Sequence, residues 1–240
     1  MKRGFCGILM LTALLAVACA CSAPAPDSRS KSPAVASAPL PTLKLPAPGL
    51  QSGVSLEEAF LKRRSIREYA NLPLTIEEGS QLLWAAQGIT GKEGGGRTAP
   101  SAGALYPLEV YLVVGNIRNL APGVYRYRPE NHELVMVRGG DLRAELAMAA
   151  SEQVCVKEGA IDIVFTAVYE RTTRKYGERG IRYVHIEAGH SAQNVCLQAT
   201  ALNLGAVTVG AFSDEQVRSI LDIPQVEVPL YIIPVGRKKT

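Results

Sequence analysis

From residue 55 onward, apolar and polar positions change period several times, and each change marks an element. Ser55-Leu56-Glu57-Glu58 sets a capping serine three residues before a glutamate and predicts a helix through about Lys62. Thr75-Ile76-Glu77-Glu78 repeats that signal and opens a helix carrying Leu82, Leu83 and Trp84, which stops near Gly88. Glu109 to Val114 reads as a strand. GVYRYRPENHELVMVR reads as a hairpin with Val124, Tyr125 and Tyr127 on one arm and Leu134 to Val137 on the other. Asp141 is placed to cap a short alanine-rich helix. The continuous apolar run AIDIVFTAVY, 160–169, predicts a central strand buried on both faces. A long helix follows from about Ile181 to Leu204, ending at Gly205. Its apolar residues Val184, Ile186, Ala188, Val195, Leu197, Ala199 and Leu202 occupy more than one face, as expected of a central or subunit-interface helix. AVTVGAF then reads as a strand, Ser213 caps another helix, and LYIIPVG is a final strand. Strands and helices mix without strict alternation, so residues 55–240 are expected to form one α+β domain, a mixed central β-sheet flanked by helices.

The first 54 residues follow another pattern. Lys2 and Arg3 precede an apolar run from Gly4 to Ala18, the layout of an export signal. The run is just long enough to span a bilayer, but it ends in small residues with no basic stop-transfer cluster after it. Ala16-Val17-Ala18-Cys19 resembles a bacterial lipobox, which makes Cys19 the expected lipidation site and residues 1–18 the signal. Residues 19–54 then form a tether. Seven of the chain's 15 prolines lie between 22 and 54 among serine and alanine, without hydrophobic periodicity. The last part of it, TLKLPAPG, is placed to pack on the body. The expected location is therefore outside the cytoplasm, on the periplasmic side or the cell surface, with membrane contact only through the lipid anchor.

Composition narrows the chemistry. Of 240 residues, 47% are hydrophobic and 20% charged, the balance of a globular protein with a core. A net charge of +4, with Lys2 and Arg3 in the signal, is too small for a nucleic-acid footprint. Outside the signal region only Cys155 and Cys196 remain, with no CxxC and no metal spacing; they are expected unpaired or joined in one disulfide. His185 and His190 are five apart and do not make the i,i+4 zinc pair. Ser101 lacks the glycine elbow of a hydrolase nucleophile, and neither a P-loop nor a dinucleotide-binding glycine fingerprint is present.

What remains is a set of separated motifs: RRSIRE, RTAPSAGALYP, EAGHSAQN, LGAVTVGAF and PVGRKK. RRSIRE alone is no more than a charged helix end. In this order the set resembles the flavin-dependent nitroreductase superfamily, and within it the SagB/ThcOx-type dehydrogenase branch, over about residues 43–240. The resemblance implies a nitroreductase-like fold and an FMN cofactor. Arg63, Arg64, Ser65 and Arg67 would meet its phosphate, ribityl chain and pyrimidine edge. Arg237, with Lys238 or Lys239, would complete the phosphate site. Pro100, Ser101, Ala102, Gly103 and Leu105 would wall the ring, and Val209 and Gly210 would stand near N5. Guanidinium forks suit a dianionic phosphate, and small residues let backbone approach a flat ring. Lys175-Tyr176 matches the substrate-side pair of the azoline-oxidising members. Arg97 is either a ligand or a bystander.

Two departures stand out. Ala104 occupies a position where simpler nitroreductases carry Asn, and no C-terminal arm is expected beyond the last strand. The expected function is an exported FMN-dependent oxidoreductase passing a hydride through flavin N5 in a ping-pong cycle, as a homodimer, on a small-molecule or peptide substrate. The alternative is a surface lipoprotein that binds a ligand on this fold without turnover.

Overall fold

The computed structural model describes residues 41–91 and 95–239. Residues 1–18 and Cys19 lie outside them, as do 92–94 of the glycine-rich loop. In chain order the elements are β1 (Thr42–Lys44), α1 (Leu56–Lys62), β2 (Tyr69–Ala70), α2 (Ile76–Gln87), β3 (Leu108–Val114), β4 (Gly123–Arg128), β5 (Glu133–Gly139) and α3 (Arg143–Ala149). There follow α4 (Val154–Glu158), β6 (Ile161–Ala167), α5 (Glu170–Tyr176), α6 (Arg179–Ala201), β7 (Leu204–Ala206), α7 (Asp214–Leu221) and β8 (Val228–Lys238).

The apolar run at 160–169 is the centre of the sheet. β6 is buried at every position and lies between β3 and β8 in the order β1-β5-β4-β3-β6-β8-β2, with β7 also on β8. Pairs of named strands run antiparallel, and among the described residues parallel pairing is confined to isolated bridges at Ser65–Ala206 and Leu74–Ile117. The fold is α+β, as expected.

Strand alternation divides the core between two faces. Ile161, Ile163 and Phe165 join Val110, Leu112, Leu82, Leu83, Val195 and Ala199 under α2 and α6. Val164 joins Tyr111, Val113, Leu146, Val156, Val217 and Ile232 under α3, α4 and α7. The pairs Leu112–Ile163 and Tyr111–Val164 lie directly across β3 and β6, so register and core face agree.

Three of the four caps read from the sequence form, Ser213 accepting the Gln216 N–H at the start of α7. Ser55 accepts the Glu58 N–H, while Thr75 and Glu78 make the reciprocal box. Several boundaries differ. Asp141 does not cap α3: Leu142 holds that position, and the Asp141 carboxylate instead takes the Arg143 backbone and guanidinium. The long helix ends at Ala201, because Asn203 turns left-handed (φ 57°) and Leu204 pairs with Arg237. AVTVGAF is a strand only as far as Ala206, with a single further bridge from Val209 to Ile232. The residues just before the long helix, including Lys175 and Tyr176, form α5, a helix that the sequence pattern does not predict. The TLKLPAPG end of the tether belongs to the body. There β1 pairs with β5, Leu45 is buried, and Ser80 donates to the Pro46 carbonyl at 2.7 Å. Cys155 and Cys196 are both buried and free.

Asp162 stands out on β6. It is fully buried among the second core face, and neither carboxylate oxygen has a hydrogen-bond partner. Burial raises its pKa well above the usual carboxylate range, against the pull of Arg143. A folded-state pKa above the unfolded one means stability is whole at low pH and falls as pH rises through the raised value. Thermal melts should therefore show Tm declining as pH rises above the ordinary carboxylate range, by about 2–4 °C for each 1 kcal/mol lost. Asp162→Asn should flatten that decline, and an unchanged slope in the variant would assign it to another group.

Candidate functional site

Three of the separated motifs meet at one corner of the sheet. Arg63 caps α1, its N–H bonding the Ala59 carbonyl, and the chain then turns so that Ile66 N–H reaches the Ala206 carbonyl at 3.0 Å. Tyr69 enters β2 opposite Lys238, and its hydroxyl donates to the Ile66 and Pro234 carbonyls. Gly205 and Gly236 allow this closeness. A Cβ on Gly205 would fall 2.6 Å from Ile66, and one on Gly236 2.8 Å from the Tyr69 ring. RRSIREY, LGAVTVG and PVGR therefore share one packed corner. Val209 is pinned there by two backbone hydrogen bonds with Ile232, leaving Gly210 exposed beside it.

The basic side chains at this corner divide sharply. Arg64 folds back onto the Leu61 and Arg63 carbonyls at 3.0 and 2.8 Å. Arg237 grips the Glu78 carboxylate with both guanidinium arms, at 2.7 and 2.8 Å, while Glu78 also holds the Thr75 N–H of the α2 cap. Lys238 donates to Asn203 at 3.3 Å. No hydrogen bond or ion pair among the described residues engages the guanidinium of Arg63 or Arg67, so both remain available to an anion. Burial raises the thiol pKa of Cys196 against Arg63, and that of Cys155 against Arg67, which places those two charges beside the core.

The second group of motifs gathers on the loop 97–106. Thr98 is tied to α2 through the Trp84 carbonyl and to α6 through Asn194, at 3.0 and 3.1 Å. Ala102–Ala104 make a short 3-10 turn in which Gly103 is left-handed (φ 64°), followed by Ala104 and Tyr106 at φ 54° and 44°. The Ser101 hydroxyl accepts the Tyr106 N–H at 2.9 Å, Arg171 donates to the Tyr106 carbonyl at 3.0 Å, and Arg97 lies 4.5 Å over the Tyr106 ring. Arg97 is a structural strut here: its fork also engages Gln87 and Glu130. Pro100 and Gly103 are exposed, while Ala102 and Leu105 are half-buried.

Lys175 and Tyr176 sit in the last turn of α5 and reach this loop. A Cβ on Gly103 would stand 2.7 Å from the Tyr176 hydroxyl and 2.9 Å from the Lys175 ammonium. The sequence pair is thus brought against the loop's glycine, the one residue that leaves room for it.

Sequence reasoning passed over Glu187, present only as a letter in EAGH. It is 2% exposed on α6, and its Oε1 has no hydrogen-bond partner. Burial raises its pKa to about 7, opposed by Ser101 and Arg97. A glutamate inside a helix that is buried on that side was the available signal.

The Glu78–Arg237 pair gives a direct check on this corner. Arg237→Ala should lower the stability of the ligand-free protein by about 1–2 kcal/mol, through the lost charge-assisted bonds and a loosened cap. A melt indistinguishable from the parent would remove Arg237 from the fold's framework.

Comparison with known proteins agrees with this geometry. Residues 60–237 match the family described as Nitroreductase family. "Putative nitroreductase MJ1384" of Methanocaldococcus jannaschii is 49% identical over 197 residues, which is 82% of this chain and 98% of that protein. The microcin B17-processing protein McbC of Escherichia coli is 31% identical over 144 residues, 57% of this chain and 52% of McbC. Among solved structures, the E. coli microcin synthetase McbBCD complex with truncated pro-MccB17 aligns at TM-score 0.64 and 25% identity, over 82% of this chain and 78% of the matched one. A protein of Ralstonia eutropha with the same designation as MJ1384 aligns at TM-score 0.72 and 31% identity, over 83% and 90%. The family match over most of the chain, with likeness to the peptide-processing proteins, shows that this chain belongs to the nitroreductase family, in its SagB-type branch.

Proposed function

We propose that the protein is an exported FMN-dependent oxidoreductase of SagB type that dehydrogenates a small organic or peptide substrate. The observation that carries this reading is the placement of Lys175 and Tyr176 against Gly103, on a loop held by four contacts. A proton donor and a cation at a glycine that leaves the backbone bare form a surface for a flat ring and a reacting substrate.

The residues present fit FMN. Arg63 and Arg67 are free cations at the Ser65 corner, the donor set a phosphate and an anionic pyrimidine edge require. Ser65 and the exposed Gly210 beside the pinned Val209 complete that side. Pro100, Ser101, Ala102, Gly103 and Leu105 supply the other. Arg64, Arg237 and Lys238 are engaged within the fold and act by holding the corner in place. When bound, FMN would supply hydride chemistry at N5, alternately reduced by one substrate and reoxidised by another. Around it, Tyr176 and Lys175 would hold or move a proton on the substrate side, and the arginines would oppose negative charge at the far edge.

The same reading includes a second copy of the chain, with both subunits of a homodimer lining each site. Exposed Leu56, Phe60 and Leu61 on α1 and Ile186 on α6 give such a copy an apolar face. The expected export through residues 1–18 and anchoring at Cys19 favour oxygen or a quinone as acceptor. Likeness to proteins named for processing trifolitoxin and microcin B17 supports a peptide substrate.

The purified mature protein should show a flavin spectrum near one FMN per chain, bleached by dithionite. Changing Arg63 and Arg67 together to alanine should weaken FMN binding at least tenfold, since each charge-assisted bond contributes about 1.5–3 kcal/mol. Arg64→Ala should bind as the parent does. A colourless protein that takes up no FMN on reconstitution would overturn the enzyme in favour of the binding-module reading.

Gly103→Ala should keep the flavin yet slow turnover at least tenfold, because its methyl group would displace Lys175 and Tyr176. Turnover equal to the parent's, measured with any substrate that reduces the flavin, would take that pair out of the chemistry.

A further inference from the structure

Beside the loop 97–106, where β3 begins and β4 ends, lies a cavity of about 470 Å³ whose walls are mostly charged. Pockets for small ligands are typically about 300–1,000 Å³. Arg97, Arg126, Arg128 and Arg171 line this one together with Glu109 and Glu130, so positive side chains outnumber negative ones by two. Behind the lining, Glu227 and Glu133 approach Arg126 and Arg128 no closer than 3.6 Å.

The two glutamates in the lining play unequal parts. Glu109 is 13% exposed and shares its oxygens between Arg126, at 2.9 Å, and Arg171. It is built into the wall. Glu130 stands on the turn between β4 and β5, 63% exposed, and meets the cavity through one oxygen, 3.1 Å from Arg97. Arg97 is itself only 13% exposed and is held without that contact. Its other arm donates to Gln87 at 3.1 Å, and its guanidinium lies 4.5 Å over the Tyr106 ring. An ion pair to so exposed a carboxylate adds little to stability, so it can be given up at little cost.

We propose that this cavity binds a carboxylate of the substrate, and that Glu130 occupies the carboxylate position on Arg97 until the substrate displaces it. Guanidinium forks match the planar carboxylate, and Arg128, 54% exposed at the rim, adds a second cation for it. The cavity adjoins the site already described. Arg171 donates to the Tyr106 carbonyl at 3.0 Å and stands one helical turn before Lys175 on the same face of α5. Tyr106 is three residues past Gly103, against which Lys175 and Tyr176 are placed. A substrate anchored by its carboxylate would therefore run along the loop toward that pair. Its class is an organic acid or a peptide with an acidic side chain. The pocket needs no cofactor; only the naming of its occupant as substrate rests on the oxidoreductase reading.

The test is calorimetric titration of the protein as purified with glutarate and, separately, with a blocked tripeptide whose central residue is glutamate. At least one should bind, and the tighter of the two names the source of the carboxylate. Glutaramide, the neutral counterpart of glutarate, should not bind, and inorganic phosphate should bind more weakly than the acid. Glu130→Gln removes the competing carboxylate and should tighten the acid roughly threefold or more, whereas Arg128→Gln should weaken it by a similar factor. Both side chains are exposed, so both variants should fold. A parent that ignores both acids, phosphate binding as tightly as the acid, or an affinity unchanged in either variant overturns the proposal. Acid binding in a protein that takes up no FMN keeps the pocket and sinks the oxidoreductase reading. A flavin-loaded protein that ignores both acids does the reverse.

Discussion

Backbone closeness at Gly205 and Gly236 is the constraint on which the rest of the corner depends. The chain leaving α1 has to lie flat against β7 and β8, and at both glycines a single methyl group would collide with Ile66 or Tyr69. Once the chain is seated, Ile66 bonds Ala206, Tyr69 anchors to Pro234, and β2 closes the edge of the sheet. Only then do Arg63 and Arg67 flank the bridge from Ser65 to Ala206, a residue about 140 positions away in the chain. The arginines carry the charge, but glycine decides where it stands.

Much of the fold was legible from periodicity and caps, because those signals are local. The Ser55 and Thr75 boxes, the hairpin and the buried run of β6 each depend on neighbours within a few residues. What was not legible depends on partners distant in sequence. β1 is Thr-Leu-Lys with every side chain exposed, held by backbone pairing to β5, so no apolar pattern betrays it. α5 buries only Thr172, and its charged surface reads as a loop until α6 packs beside it. β7 ends where Val207 leaves the ladder, a choice made by the course of β8 and not by the β-rich composition of AVTVGAF.

The same limit separates the arginines. Arg63, Arg64, Arg67 and Arg237 look alike in sequence, and motif order alone gave them a common role. Their side chains reach different ends: Arg64 onto carbonyls one and three residues back, Arg237 onto Glu78 across the sheet edge, and Arg63 and Arg67 onto nothing within the described residues. A guanidinium already forked onto a carboxylate contributes geometry, because removing it from that partner to serve a phosphate would leave Glu78 uncompensated. The free pair contributes electrostatics. Arginines alike in sequence thus divide into two held within the fold and two left unengaged among the described residues.

The loop 97–106 is the rigid part of the proposed site. Left-handed conformations at the non-glycine residues Ala104 and Tyr106 each cost on the order of 1 kcal/mol or more, and persist only where surrounding contacts fix them. Those contacts are unusually complete. Arg97 covers the Tyr106 ring, Arg171 takes its carbonyl, Ser101 takes its N–H, and Asn194 holds the start of the loop. The anchors come from the loop itself, from α5 and from α6, so the loop's shape reports the packing of the whole upper layer. Strain at Ala104 and Tyr106 leaves Gly103 bare and facing Lys175 and Tyr176. A relaxed loop of the same sequence would have its polar groups in solvent and no reason to face that pair.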